Sequence, residues 1–433
     1  MTLSPDQSRR EFMKAAVAMG GASALSACLD RDDESGESET TAGPVPSGVD
    51  DPADLPASQH GWNDQLPEDE HGNAVLPRHH VFLYLNLDES GEPSEEARET
   101  VASALATLDR AYERSNEGLI YSVAYSPSYF DRFDESLPDS VNLPEPRRLS
   151  SFEEPELDTQ DALLHMSSDR ADVVLEAEEA LRGNVEANGV EMETPLFDVV
   201  TDADRRTGFI GDGMPAERQD VKGIPDSKPV PEESPLFMGF KAGFVGNQAT
   251  EEYVSIDEGP FAEGTTKHLA TIRQRLSDWY VENDFEERTQ KMFSPLHSEE
   301  GLVESTGHEL GDHSGVTPET TEAMPDHARE FGRVGHAQKM ARSNRDDDGN
   351  PLLLRRHVES TDNDEVSLHF PSLQQDIAQF ERVRQAMNGT DVDSPSVRQR
   401  VNNGILEYIF VKHRGNFLVP PRRHRALPRP RPE

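Results

Sequence analysis

The apolar segments of this chain come in an order that few folds accommodate. Val81-Phe82-Leu83-Tyr84-Leu85-Asn86-Leu87 reads as a buried strand, with structure starting at His79. Ser94, followed by Glu95 and Glu96, predicts a helix start, and Val101, Leu105, Leu108 and Tyr112 recur at helical spacing behind it. Strands are predicted at Leu119–Ala124 and Ala162–Ser167, and a helix over Ala171–Leu181. Strand–helix–strand followed by strand–helix is a split βαβ unit. A second set follows less clearly, with strands near Leu196–Val200, Leu236–Phe240 and Tyr253–Ile256 and a helix from about Leu269 to Tyr280. A strand at Val366–Phe370, a helix at Gln374–Met387 and a strand at Ile405–Val411 complete it.

The fold class expected is α+β, two ferredoxin-like halves with antiparallel sheets. The halves are assigned to 78–190 and 191–421, the second interrupted by a polar insertion at 295–333. Residues 29–77 read as a disordered acidic tether, and the Arg/Pro-rich tail 422–433 reads as unstructured.

Charge narrows the partners. The chain carries 83 Asp+Glu against 42 Lys+Arg, a formal charge of −41, which excludes the nucleic-acid backbone as the main ligand. Only 8 of the basic residues are lysine, and acid excess with lysine depletion suits a very salty medium. There the Debye length falls to about 3 Å and carboxylate repulsion is screened. No apolar run reaches the ~18 residues of a permanent transmembrane helix.

The N-terminus adds an address. Ser8-Arg9-Arg10-Glu11-Phe12-Met13-Lys14 precedes a weakly apolar Ala/Gly/Ser stretch and resembles a twin-arginine export signal. Leu25-Ser26-Ala27-Cys28 looks like a lipobox, and Cys28 is the only cysteine. A signal over 1–28, lipidation at Cys28 and a place on the extracellular face of the cell membrane are the expectations.

Three segments, in order, resemble dye-decolorizing (DyP-type) haem peroxidases. They are Tyr121-Ser122-Val123-Ala124-Tyr125-Ser126-Pro127-Ser128-Tyr129-Phe130-Asp131, then Asp161-Ala162-Leu163-Leu164-His165-Met166-Ser167-Ser168-Asp169, then Arg414-Gly415-Asn416-Phe417-Leu418-Val419-Pro420-Pro421. The likeness spans roughly His79 to Pro421. It implies the dimeric α+β barrel superfamily, haem b, hydrogen peroxide and an organic electron donor, and leaves a homo-oligomer open. His336, ahead of Asp346-Asp347-Asp348-Gly349 and Leu353-Leu354-Arg355-Arg356, matches the axial haem ligand, and Arg355 matches the distal arginine. The register beside Arg356 is open by one residue.

The distal acid departs from the family. Gly239-Phe240-Lys241-Ala242-Gly243 matches the Gly-Phe-x-Asp-Gly motif, with Ala242 where the proton-shuttling Asp belongs. Asp212, in Gly208-Phe209-Ile210-Gly211-Asp212-Gly213, is a weaker alternative with one extra residue. Losing a general acid–base costs ~10²–10⁴-fold in rate. The alternative to a peroxidase is therefore a catalytically degenerate haem-binding or iron-handling lipoprotein, and a third, weaker option is a cofactor-free binding lipoprotein.

Other chemistry finds less support. His297, His308, His313 and His327 lie near Glu309, Asp312 and Asp326, but no pair has zincin spacing. His79 and His80 read as solvated, and Trp279 as a surface relay for electrons. There is neither a nucleophile elbow in a strand–turn–helix context nor a phosphate-binding loop.

Overall fold

In the computed structural model, residues 43–389 and 395–433 are described. The proposed signal, with Arg9, Arg10 and Cys28, lies outside them. Ten strands form one mixed sheet: β1 His79–Leu87, β2 Ile120–Tyr125, β3 Glu156–Leu157, β4 Ala162–Ser168, β5 Val200–Phe209, β6 Thr265–Gln274, β7 Leu354–Arg355, β8 Val358–Ser360, β9 Ser367–Gln374 and β10 Ile409–Val419. Their order is β2-β4-β1-β5-β8-β9-β6-β10-β3, with β7 paired to β9 and β2 touching β10 at Tyr125 and Leu418. Every pairing is antiparallel except β10 with β3.

The run at 81–87 is apolar throughout because β1 is covered on both faces. Val81, Leu83, Leu85 and Leu87 pack in one cluster with Leu105, Leu108 and Val174. Phe82 and Tyr84 turn the other way, to Leu269, Val358 and Phe417 of the second half. The helix Glu95–Ala111 starts where expected: Ser94 Oγ accepts the Ala97 amide and Glu95 and Glu96 lie in the first turn. Val101, Leu105, Leu108 and Tyr112 are all buried on its inner side.

The second half departs from the sequence pattern in five places. Leu196–Asp198 is a 3₁₀ turn leading into β5, and 236–240 and 253–256 form no strand. The segment expected as a helix from Leu269 is strand β6 up to Gln274, with a helix only at Leu276–Glu282. Ladders to β9 and β10 on either side, with β-branched Thr265, Thr266, Thr271 and Ile272, override its helical spacing. The last strand begins at Ile409, not Ile405, and runs to Val419. The boundary at 190 also moves, because β5 pairs with β1 from Val200 to Phe209 and belongs with the first half.

Two segments expected to be unstructured are packed. Within 43–77, Trp62 is 2% exposed, and its backbone amide and that of Asn63 donate to the Glu251 carboxylate. Gln59 bridges strand and tail, its Nε2 donating to Val123 O and Pro420 O. In the tail, Leu427 is 1% exposed and Tyr125 Oη donates to Arg425 O at 2.6 Å. Sparse apolar anchors and backbone-directed hydrogen bonds do this work, and composition does not register either. His79 and His80 are buried, not solvated, and Trp279 is wholly buried with Nε1 donating to Met238 O. The insertion holds short helices at Pro295–Glu299, Pro318–Glu322 and Met324–Glu330. Among the described residues no three His, Cys, Asp or Glu side chains gather as a metal site, and no helix is long and apolar enough to cross a membrane.

Candidate functional site

His336 opens the helix His336–Ser343. Two close approaches set its place. A Cβ on Gly335 would fall 1.7 Å from Phe293 O, and one on Gly404, whose φ is +61°, would sit 3.0 Å from the His336 Cα. The residue is half-buried, and no group among the described residues bonds to either ring nitrogen, Nδ1 being fully sealed. Burial first, then the charges of Lys339 and Arg355, pull its pKa down to about 3. At neutral pH it is an uncharged ring with a free lone pair, the form that ligates a metal.

Two cavities meet at this ring. One, of about 400 Å³, is lined by His336, Met340, Phe370, Phe380 and Ile409, with Arg273 and Lys412 among its polar walls. The other, of about 180 Å³, shares His336, Met340 and Phe370 and adds Phe240, Ala242, Gly243, Phe293, Arg345, Arg355, His357 and Glu359. An outer cavity of about 710 Å³ shares Lys241, Ala242, Gly243, Arg355 and His357 with the second and reaches Asp69, Asn73 and Asp212.

Arg355 is half-buried with no carboxylate partner among the described residues. Its Nε donates to Gln248 Oε1 at 3.2 Å and Nη2 to Asn247 O at 3.2 Å, and burial lowers its pKa to about 10. Held by neutral acceptors, it stays cationic and keeps charge for an incoming anion. Arg356 faces elsewhere, bonded to His60 O and paired with Glu251, which favours Arg355 as the site arginine. Phe240, Ala242 and Gly243 line the cavity of His336, and Gly239 sets the turn ahead of them at φ +87°. Asp212 lies on the outer cavity only, mostly exposed and 3.6 Å from His308.

Two side chains went unnoticed in the sequence. Arg355, His357 and Glu359 alternate along the segment from β7 to β8 and all line the His336 cavity, so period-two spacing from Arg355 was the available signal. Burial pushes the Glu359 carboxyl up to about 8, although it accepts from the Phe237 amide at 2.8 Å and from Gln274 Nε2. Its folded pKa lies above the ordinary 4.5, so the folded state keeps a proton that the unfolded chain releases. Stability therefore falls as pH rises from about 4.5 to about 8. Glu359→Gln should remove that decline, worth about 3–4 kcal/mol between pH 5 and pH 8. Urea midpoints of both proteins at the two pH values check it.

The residues fit a haem. They provide a neutral, unengaged imidazole between apolar walls, a guanidinium held by neutral acceptors in one of its cavities, and cations on the rims.

The fold is that of DyP-type peroxidases. It matches a protein described as a DyP-type peroxidase from Shewanella oneidensis with TM-score 0.51 and 17% identity, over 85% of this chain and 97% of that one. The encapsulated DyP-type peroxidase of Mycobacterium smegmatis gives 0.51 and 17%, over 85% and 100%. A variant of DypB from Rhodococcus jostii RHA1 in complex with heme gives 0.50 and 18%, over 81% and 95%. Residues 77–421 match the family of unknown function designated DUF7405, and the chain belongs to that family. A comparison with curated protein sequences finds no match.

Proposed function

We propose that this protein is an exported haem-dependent peroxidase that oxidises organic donors with hydrogen peroxide, tethered to the outer face of the cell membrane through Cys28. The observation that carries the reading is the unengaged, uncharged His336 ring in one cavity with Arg355, on a fold shared with DyP-type peroxidases. The repeated strand order, β2-β4-β1-β5 and β8-β9-β6-β10, supports two ferredoxin-like halves.

His336 would hold the iron of haem b, with Phe240, Phe293, Met340 and Phe370 against the ring system. Haem, when bound, supplies the redox centre between peroxide and the donor. Arg355 donates hydrogen bonds to the peroxide oxygen that carries negative charge, and Gln248 and Asn247 keep its guanidinium aimed. Phe240 and Phe293, at 5.3 Å edge to face, help keep water from the cavity.

The test is the absorption spectrum of haem-loaded protein in high salt, with dye oxidation by peroxide. A Soret band and turnover are expected, with turnover falling about 10²–10³-fold in Arg355→Ala while the Soret band stays. Ala242 favours a second reading, haem carriage without turnover, which a Soret band with no dye oxidation would select.

A further inference from the structure

We infer that His357 is the group that moves the peroxide proton in this chain, in place of the carboxylate absent at position 242; the inference rests on the haem reading above. A proton-transfer group here must sit in the His336 cavity beside Arg355, and one that also borders the neighbouring outer cavity can exchange its proton there. Six residues line both: Leu236, Lys241, Ala242, Gly243, Arg355 and His357. Of the three that ionise, Lys241 is held by Asp69 at 2.5 Å and Arg355 does not give up its proton near neutral pH. His357 alone is uncommitted.

Its position is built. The ring is 8% exposed and stacks on Phe370, centroids 6.0 Å apart and planes 15° from parallel. Nδ1 is sealed without a partner, and no hydrogen bond from a described residue engages the ring. Burial and the Arg355 charge keep the ring neutral, so a lone pair is present to accept a proton. The competing acids are occupied or misplaced. Glu359 does not reach the outer cavity and both its oxygens accept hydrogen bonds. Asp69 and Asp212 do not line the inner one.

In the step, the proton leaves one peroxide oxygen for His357 Nε2 and then passes to the other oxygen, which departs as water when the O–O bond breaks. His357 ends as it began; haem, when bound, would supply the two electrons for the cleavage, the organic donor would return them with two protons, and the remaining oxygen would leave as a second water. Arg355 stabilises the charge in between.

The experiment loads wild type, His357→Ala and the bulkier His357→Gln with haem. It measures the Soret band, the rate of the peroxide-driven spectral change, and the association rate of cyanide. Cyanide arrives as neutral HCN and must also give up a proton, so it reads the base without turnover. The expected result is an unchanged Soret band with both rates down about 10²–10⁴-fold, and recovery of the peroxide rate when Ala242→Asp is added to His357→Ala. Unchanged rates in both variants overturn the inference, as does loss of the Soret band in both, which would make the ring a haem-holding group. Wild type without a Soret band instead removes the haem reading itself.

Discussion

His336→Ala is expected to abolish haem loading and leave the protein folded. On the haem reading this ring is the only protein bond to iron. The described residues place no other imidazole in both the 400 Å³ and 180 Å³ cavities. Truncation removes a half-buried ring that makes no hydrogen bond to a described residue and already borders open space, so the stability cost stays at the low end for a large-to-small change. Gly335 and Gly404 still fix the backbone beneath it. Spectra and far-ultraviolet circular dichroism on one sample should show no Soret band above free haem and an unchanged fold. A retained Soret band would place the iron elsewhere.

Loading also separates ligand from scaffold. A half-buried imidazole with pKa near 3 binds metal without first losing a proton. In Glu359→Gln, which removes the carboxyl that titrates in the same cavity, affinity should hardly change from pH 6 to pH 8.

How much of this was legible depends on how each residue earns its place. Continuous apolar β1 and the Ser94-capped helix were readable because burial on both faces and a capped, periodic stripe leave local marks. Strand β6 was misread because its neighbours in the sheet, not its own spacing, decide its form. His336 and Arg355 came from resemblance, since 15 histidines and many arginines offer no local way to choose among them. The structure brings that pair into one cavity and leaves Asp212 outside it. His357 was hidden because its importance lies in joining two cavities, a property of the packed chain. Segments 43–77 and 422–433 were dismissed because their anchors are single residues, such as Trp62 and Leu427, set in polar sequence.

The tail supplies the other large effect. Asp109, 4% exposed on the helix Glu95–Ala111, accepts from Tyr121 Oη at 2.7 Å and from Arg422 Nη1 at 3.3 Å, and pairs with Arg425. Both guanidiniums are largely buried, and Arg425 also donates to Tyr121 Oη. Asp109→Ala leaves two cations without a counter-charge in a site that water hardly reaches. Breaking a buried pair from one side costs about 3–5 kcal/mol, against a total of about 5–15 kcal/mol for a domain. The unfolding free energy from denaturant titration should fall by that amount, even in molar salt, because ions do not enter to screen the pair. The charge effect separates from packing in a second pair of variants. Ending the chain at Pro421 removes Arg422 and Arg425 together and strands Asp109 as the unpaired ion. Truncation alone and Asp109→Asn alone should each destabilise, and the two combined should cost less than their sum. Strict additivity would show that the tail docks through Leu427 and backbone bonds to Tyr125, with the ion pairs contributing nothing of their own.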